Sequence, residues 1–253
     1  MLYTIASYKF IALSDLSELR VLFFKKCTEL ALRGTILLSK EGINISLAGT
    51  EAAIIEFKNY LSANQLFADI KFHEIISQQS PFKRLKIKLK KEIITMGYSA
   101  VKPELARAPS ISPAELKQWL DENRDVTLLD TRNDYEINFG TFVNAINLKL
   151  NQFNEFPEKS QTLSKEKPIV MFCTGGIRCE KASIYLLNEG FETVYQLDGG
   201  ILNYFAEVGS DHYRDGCFIF DERVVLDANL QTMGVKQCQL CQARIQSAES
   251  HSC

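Results

Sequence analysis

The stretch Pro168-Ile169-Val170-Met171-Phe172-Cys173-Thr174-Gly175-Gly176-Ile177-Arg178-Cys179-Glu180-Lys181-Ala182 constrains this chain more than any other. An apolar run bounded by Pro168 reads as a buried strand, and a Gly-rich turn beginning with Cys173 follows it. Ala182, Tyr185, Leu186 and Leu187 then recur at helical spacing. Cys173 therefore lies where a core strand hands over to a helix, the connection from which layered α/β sheets are built.

Such an address makes a thiol reactive. Gly175 and Gly176 let successive backbone N–H groups turn toward one point and form a concavity for an anion. The helix N-terminus and Arg178 add positive charge on the same side, drawing the Cys173 pKa from ~8.5 into the range of roughly 3.5–7.5. The resulting thiolate is the competent nucleophile. A structural cysteine closing a core strand is the plainer reading. The crowding of Gly175, Gly176 and Arg178 directly after Cys173 favours the reactive one. Phosphatase loops also place an arginine after a cysteine, but at Cys-x5-Arg spacing and usually with a histidine before the cysteine. Here the spacing is Cys-x4-Arg and Phe172 precedes, a tighter ring that suits a sulfur or small anion better than a phosphate group.

The six-residue loop from Cys173 to Arg178 resembles the active loop of rhodanese-type sulfurtransferases. The longer string CTGGIRCEKAS, with Cys179 as a second cysteine, resembles the rhodanese-containing tRNA uridine(34) hydroxylases. Asp130-Thr131-Arg132 with Tyr135-Glu136 and Gly140 is similar to the first rhodanese signature, and Leu197-Asp198-Gly199-Gly200 to the last. Thr141, Asn144 and Tyr204 stand where a typical rhodanese has histidine, glycine and tryptophan. The resemblance implies oxygen-dependent hydroxylation of the wobble uridine of tRNA to 5-hydroxyuridine, with molecular oxygen as co-substrate and the anticodon loop as partner. It implies a catalytic Cys173 in an active loop of Thr174, Gly175, Gly176, Ile177, Arg178 and Cys179. Asp130 and Arg132 belong with that loop, either facing substrate or as a structural ion pair beneath it.

Two chemistries stay open at Cys173. The thiolate can add to C6 of a splayed uracil, making C5 enolate-like while loop N–H groups and Arg178 stabilise the developing charge. Alternatively Cys173 carries a persulfide or oxidised sulfur, with Cys179 either a resolving thiol or a passive small residue. A sulfurtransferase passing persulfide sulfur to a thiol acceptor is the alternative enzyme, and a non-catalytic anion-binding module the alternative outside catalysis. No histidine–carboxylate iron triad and no dinucleotide fingerprint is present, so the sequence does not show how oxygen is activated.

A net charge of −2 and a pI near 6.0 exclude a global basic field, so any RNA contact must come from a local patch. No apolar run is long enough for a bilayer span, and Met1 leads directly into the strand-like Leu2–Phe10 without a signal peptide. Seven cysteines without disulfide-framework spacing point to the reducing cytoplasm.

The predicted fold class is α/β. Residues 1–95 alternate β-α-β-β-α-β, the split-βαβ, ferredoxin-like arrangement, with a helix expected over Asp15–Arg33 and a last strand over Asp69–Ile76. The domain ends in a basic strand in which Leu85, Ile87 and Leu89 share one face. Lys86, Lys88 and Lys90 share the other at about 6.5–7 Å spacing, with Lys83 and Arg84 just before them. This rail is a candidate tRNA-backbone contact or a lysine-protected edge. Residues 96–111, with Pro103 and Pro109, read as a linker. Residues 112–210 alternate strands and helices as a rhodanese-like parallel domain, opened by the capping box Ser112-Pro113-Ala114-Glu115.

Residues 211–253 form a Cys-containing extension. Cys217–Phe220 and Arg223–Leu226 read as strands, and Cys238 and Cys241 with His251 and Cys253 form half of a zinc-ribbon pattern. Relatives suggested by the resemblance carry two Cys-x2-Cys pairs, and here the chain stops where the second would begin. A truncated C-terminus and a site completed by His251 both stay open, as does a tail without metal.

Overall fold

The computed structural model describes residues 1–238, 240, 242 and 244–245. The chain divides into two compact units, Met1–Thr95 with Pro103–Leu105, and Met96–Lys102 with Ala106 onward.

In the first unit Leu2–Phe10 forms β1, Leu16–Glu29 α1, Arg33–Ser39 β2, Gly42–Gly49 β3, Glu51–Ser62 α2, His73–Ser77 β4 and Leu85–Leu89 β5. The strands lie in the order β4-β1-β3-β2-β5, antiparallel except where β5 runs parallel to β2. This is the expected split-βαβ layout with a fifth strand at the edge. Period-2 alternation sends Ile36, Leu38, Ile43, Ile45 and Leu47 to the helical side, where they pack with Phe23, Cys27, Ile54, Phe57 and Leu61. Helix α1 stops short of the predicted Arg33 because Ala31 turns left-handed (φ 52°) and the Leu32 N–H bonds back to the Cys27 carbonyl at 2.9 Å. The first half of the predicted Asp69–Ile76 strand is instead a run of turns closed by Phe67 N–H to Asn64 O (2.9 Å) and Ile70 N–H to Phe67 O (3.1 Å).

Strand β5 carries the basic rail. Leu85 and Ile87 enter the core while Lys86 and Lys88 alternate to the opposite face, paired in register with Thr35 and Leu37 of β2. Leu89 departs from the expectation: at the end of an edge strand it has outrun the core and is 40% exposed. Lys90 lies just past the strand, its N–H still bonded to Leu38 O at 2.8 Å.

The second unit begins earlier than Ser112. Within the stretch expected as a linker, Ser110–Ile111 forms a strand, β6, and the Tyr98 ring meets Tyr185 edge-on at 5.0 Å. Val101, Ala108 and Ile111 are buried, so these spaced apolar residues, rather than Pro103 and Pro109, decide how the stretch packs. Pro113–Asp121 follows as α3, its Ser112 cap accepting the Glu115 N–H at 3.2 Å. Thr127–Asp130 is β7, Asp134–Ile137 α4, Gly140–Phe142 β8, Ile146–Asn147 β9, Phe156–Lys159 α5, Ile169–Phe172 β10, Ile177–Asn188 α6, Val194–Leu197 β11 and Gly200–Val208 α7.

The five-stranded sheet has the order β6-β11-β10-β7-β9 and is parallel throughout. Every residue of β10 is fully buried, as a central strand covered on both faces requires.

Beyond α7, Tyr213–Asp215 (β12) pairs with β8, and Cys217–Phe218 (β13) with Val225–Leu226 (β14). Lys236–Gln237 (β15) pairs with Arg244–Ile245 (β16). Of the proposed zinc ligands, Cys238 is buried, whereas Cys241, His251 and Cys253 lie outside the described residues. Among the described residues no cluster of metal-ligating side chains forms, and no helix is long and apolar enough to cross a membrane.

Candidate active site

Strand β10 delivers Cys173 to the carboxyl end of the sheet's central strand, and α6 starts behind it with Gly176 at its N-cap (φ 96°). That left-handed turn points the Gly176 N–H back at the Cys173 sulfur, 3.1 Å away. The N–H of Arg178 and the thiol of Cys179 bond the same sulfur. Burial pushes the Cys173 thiol up, but the Cys179 hydrogen bond, the Arg178 charge and the two backbone N–H groups outweigh it and bring the pKa down to about 6. Cys179 goes the other way: burial and the neighbouring Cys173 sulfur push its thiol well up, so it remains a proton-bearing donor. Thr131, whose hydroxyl donates to Phe172 O at 3.0 Å, lies 3.6 Å from the Cys179 sulfur.

Arg178 is not the free anion receptor that its place in the loop suggests. Both terminal nitrogens of its guanidinium donate to the two carboxylate oxygens of Glu136, at 2.6 and 2.7 Å, with both side chains buried. The pair is a bidentate clamp, so the charge reaching Cys173 is that of a neutralised arginine, and backbone donors share the task. One donor, the buried Nε of Arg178, has no hydrogen-bond partner among the described residues. Glu136 also accepts the Asn133 N–H at 3.0 Å. Sequence reasoning noted Glu136 within a motif and gave it no role, although an acidic residue three positions after Asn133, in capping-box spacing, was a usable signal.

Asp130 and Arg132 meet each other away from solvent. Both are fully buried and bonded to each other, with Arg132 Nε and Nη2 donating to Asp130 at 3.0 and 2.7 Å. Thr141 donates to Asp130 at 2.7 Å, and Arg132 donates to Gly140 O at 2.6 Å. The Tyr213 hydroxyl, from β12, also donates to Gly140 O at 2.9 Å. The pair is therefore a staple under the loop, joining β7, β8 and the C-terminal extension.

From the other side, Gly199 and Gly200 (φ 68° and 66°) let the first turn of α7 close on the loop, where Ile201 N–H bonds Cys173 O (2.9 Å) and Leu202 N–H bonds Thr174 O (3.1 Å). A Cβ on Gly200 would lie 2.5 Å from Cys173 O, whereas one on Gly175 would meet nothing within 4 Å. The loop is thus fixed below and open above Gly175, with Thr174 and Ile177 half-buried at the rim. The Thr174 hydroxyl donates to Phe218 O at 3.3 Å, and the Phe220 ring lies 5.8 Å from the Arg178 guanidinium carbon. The rail residues Lys83, Arg84, Lys86, Lys88 and Lys90 belong to the first unit.

Residues 2–93 match the family described as UPF0176 acylphosphatase like domain, and residues 112–207 match the rhodanese-like domain. A tRNA uridine(34) hydroxylase of Cupriavidus necator is 50% identical over 256 residues, covering 98% of this chain and 91% of the relative. One of Thiobacillus denitrificans is 50% identical over 238 residues, covering 91% and 96%. One of Burkholderia thailandensis is 45% identical over 251 residues, covering 94% and 85%. Both domain expectations, ferredoxin-like and rhodanese-like, agree with these matches.

Proposed function

Since the chain belongs to the tRNA uridine(34) hydroxylase family, we propose that it hydroxylates the wobble uridine of tRNA at C5, with Cys173 as the nucleophile. The observation that carries this reading is a cysteine brought to a pKa near 6 by three donors on its sulfur, in a loop with empty space at the Cβ position of Gly175. An anticodon base is already unpaired, so presenting it to this loop costs little. The Cys173 thiolate adds to C6 of the uracil, and the displaced electron pair makes C5 enolate-like. The Gly176 and Arg178 N–H groups, which bond the sulfur at rest, are the nearest donors for the charge that leaves it.

Molecular oxygen is the co-substrate: one atom goes to C5 and the other leaves as water, taking two electrons and two protons from an added reductant. Loss of the C5 proton with expulsion of Cys173 restores the ring and the thiolate. Cys179, a buried thiol bonded to the sulfur, holds the resting thiolate in place. A persulfide relay has no comparable support, since the full-length relatives carry the hydroxylase name.

The rail of Lys83, Arg84, Lys86, Lys88 and Lys90 is proposed as the contact for the tRNA backbone, supported by its alternation away from the core on an edge strand. Cys27, Cys173, Cys179 and Cys217, none of them in a disulfide, suit the reducing cytoplasm. The zinc reading retains one described ligand, Cys238, and no step of the reaction depends on it.

The test is single-turnover hydroxylation of an anticodon stem-loop under oxygen with a dithiol added as the two-electron reductant. Wild type forms 5-hydroxyuridine and Cys173→Ala forms none. Full product with Cys173→Ala would remove the covalent scheme.

A further inference from the structure

Phe220 is 65% exposed, although Phe218, Ile219, Val225 and Leu226 around it are at most 6% exposed. Its position is rigidly held. In the turn between β13 and β14, Asp221 accepts the backbone N–H and the guanidinium of Arg223 at 3.0, 2.9 and 2.5 Å, and Ile219 N–H bonds Val224 O at 2.8 Å. The Phe220 ring stands edge-on to Phe218 at 5.2 Å, and Tyr135 meets the opposite partner, Phe218, edge-on at 5.4 Å. Phe218 is in turn fixed to the active loop through Thr174.

Two features place this ring at the chemistry. It lies 5.8 Å from the Arg178 guanidinium, and the backbone N–H of that same residue bonds the Cys173 sulfur. Among the described residues the buried Nε donor of the guanidinium has no partner. An exposed π face whose ring lies 5.8 Å from a guanidinium with one unmatched, buried N–H matches a nucleobase, which brings a π face and ring carbonyls together. An aliphatic peptide side chain would use the ring and leave the donor unmet. The loop must receive an unpaired base for the proposed reaction, which makes that base the occupant.

We propose that Phe220 is a base-stacking residue: its exposed ring packs against an unpaired base of the anticodon loop and holds the target uracil over Gly175 beside Cys173. This rests on the hydroxylase reading and adds to it a substrate contact from the C-terminal extension, outside both matched domains. Stacking on aromatic side chains tolerates any base, so Phe220 supplies affinity and orientation, while recognition of uracil falls to polar groups.

The experiment compares wild type, Phe220→Ala and Phe220→Trp in the full chain, using an anticodon stem-loop RNA with uridine at the wobble position. Loss of one stacking contact is worth roughly 5- to 150-fold in binding. Phe220→Ala is therefore expected to raise KM about 5-fold or more, with an unchanged melting temperature and an unchanged Cys173 thiolate titration. Phe220→Trp is expected to stay within about threefold of wild type, and the emission it adds to that of Trp119 to be quenched when the stem-loop binds. Wild-type KM for Phe220→Ala together with unquenched emission from Phe220→Trp overturns the proposal. If wild type makes no product, the hydroxylase reading fails by itself, and stem-loop affinity and quenching still decide whether Phe220 stacks on RNA.

Discussion

Glu136 holds Arg178 with both carboxylate oxygens, at 2.6 and 2.7 Å, directly behind the residue whose backbone N–H bonds the Cys173 sulfur. The arginine of the loop is thereby spent on structure as well as on charge. Glu136→Gln removes the counter-charge and leaves a buried guanidinium. The expected result is a loss of about 3–5 kcal/mol of stability, read by urea unfolding. The Cys173 pKa should fall further, because the unpaired positive charge favours the thiolate. A Cys173 titration that does not move, or that moves upward, would show that Arg178 reaches the sulfur through its backbone alone.

The pH dependence follows from the lowered pKa. Folding brings the Cys173 thiol from the ordinary value of ~8.5 to about 6, so across that window the native state binds fewer protons than the unfolded chain. The stability Cys173 contributes is complete above about pH 8.5 and is lost as the pH falls through 6. Thiolate absorbance should rise with a midpoint near 6 in wild type and be missing from Cys173→Ser, with the acid limb of kcat/KM at the same place. A midpoint above 8 contradicts the geometry of three donors on one sulfur.

Two glycine substitutions, one in the active loop and one at the start of α7, should behave differently. Gly200→Ala places a Cβ 2.5 Å from Cys173 O at a φ of +66°, so it should cost at least about 1–3 kcal/mol and raise the Cys173 pKa by displacing the loop. Gly175→Ala meets no atom within 4 Å and should leave the melting temperature unchanged. Its methyl group instead occupies the opening, so the expected defect is in KM for the stem-loop. Equal effects on stability would contradict the assignment of Gly175 to the mouth.

The lysine rail predicts salt dependence. Lys86→Ala with Lys88→Ala and Lys90→Ala should weaken tRNA binding similarly for all sequences. The slope of log K against log salt should fall by about 2, at ~0.7 per phosphate contact for single strands. Unchanged affinity returns the rail to the role of a protected edge.

Much of this was readable in the chain because local pattern and tertiary context agreed. Ile169–Phe172 has the composition of a strand buried on both faces, and Gly175-Gly176 can only be a turn before the helical face of Ala182 and Tyr185. What escaped depended on contacts distant in sequence. Nothing local to Arg178 announces that Glu136 will take its guanidinium, and nothing local to Asp130 says that Thr141 and the C-terminal extension will bury it. Short strands were missed for the same reason: Gly140–Phe142 has too few residues to show a period, and it becomes a strand by pairing with Tyr213–Asp215. The linker reading gave weight to Pro103 and Pro109, while the outcome followed from Val101, Ala108 and Ile111 finding buried places.

The central claim is that Cys173 makes 5-hydroxyuridine in tRNA. Nucleoside mass spectrometry of tRNA from cells lacking this protein, complemented with wild type or with Cys173→Ser at matched expression, tests it most directly. The account predicts that the hydroxyuridine-derived nucleoside disappears in the deletion, returns with wild type and stays absent with Cys173→Ser. An unchanged nucleoside in the deletion, or its full return with Cys173→Ser, would contradict the account.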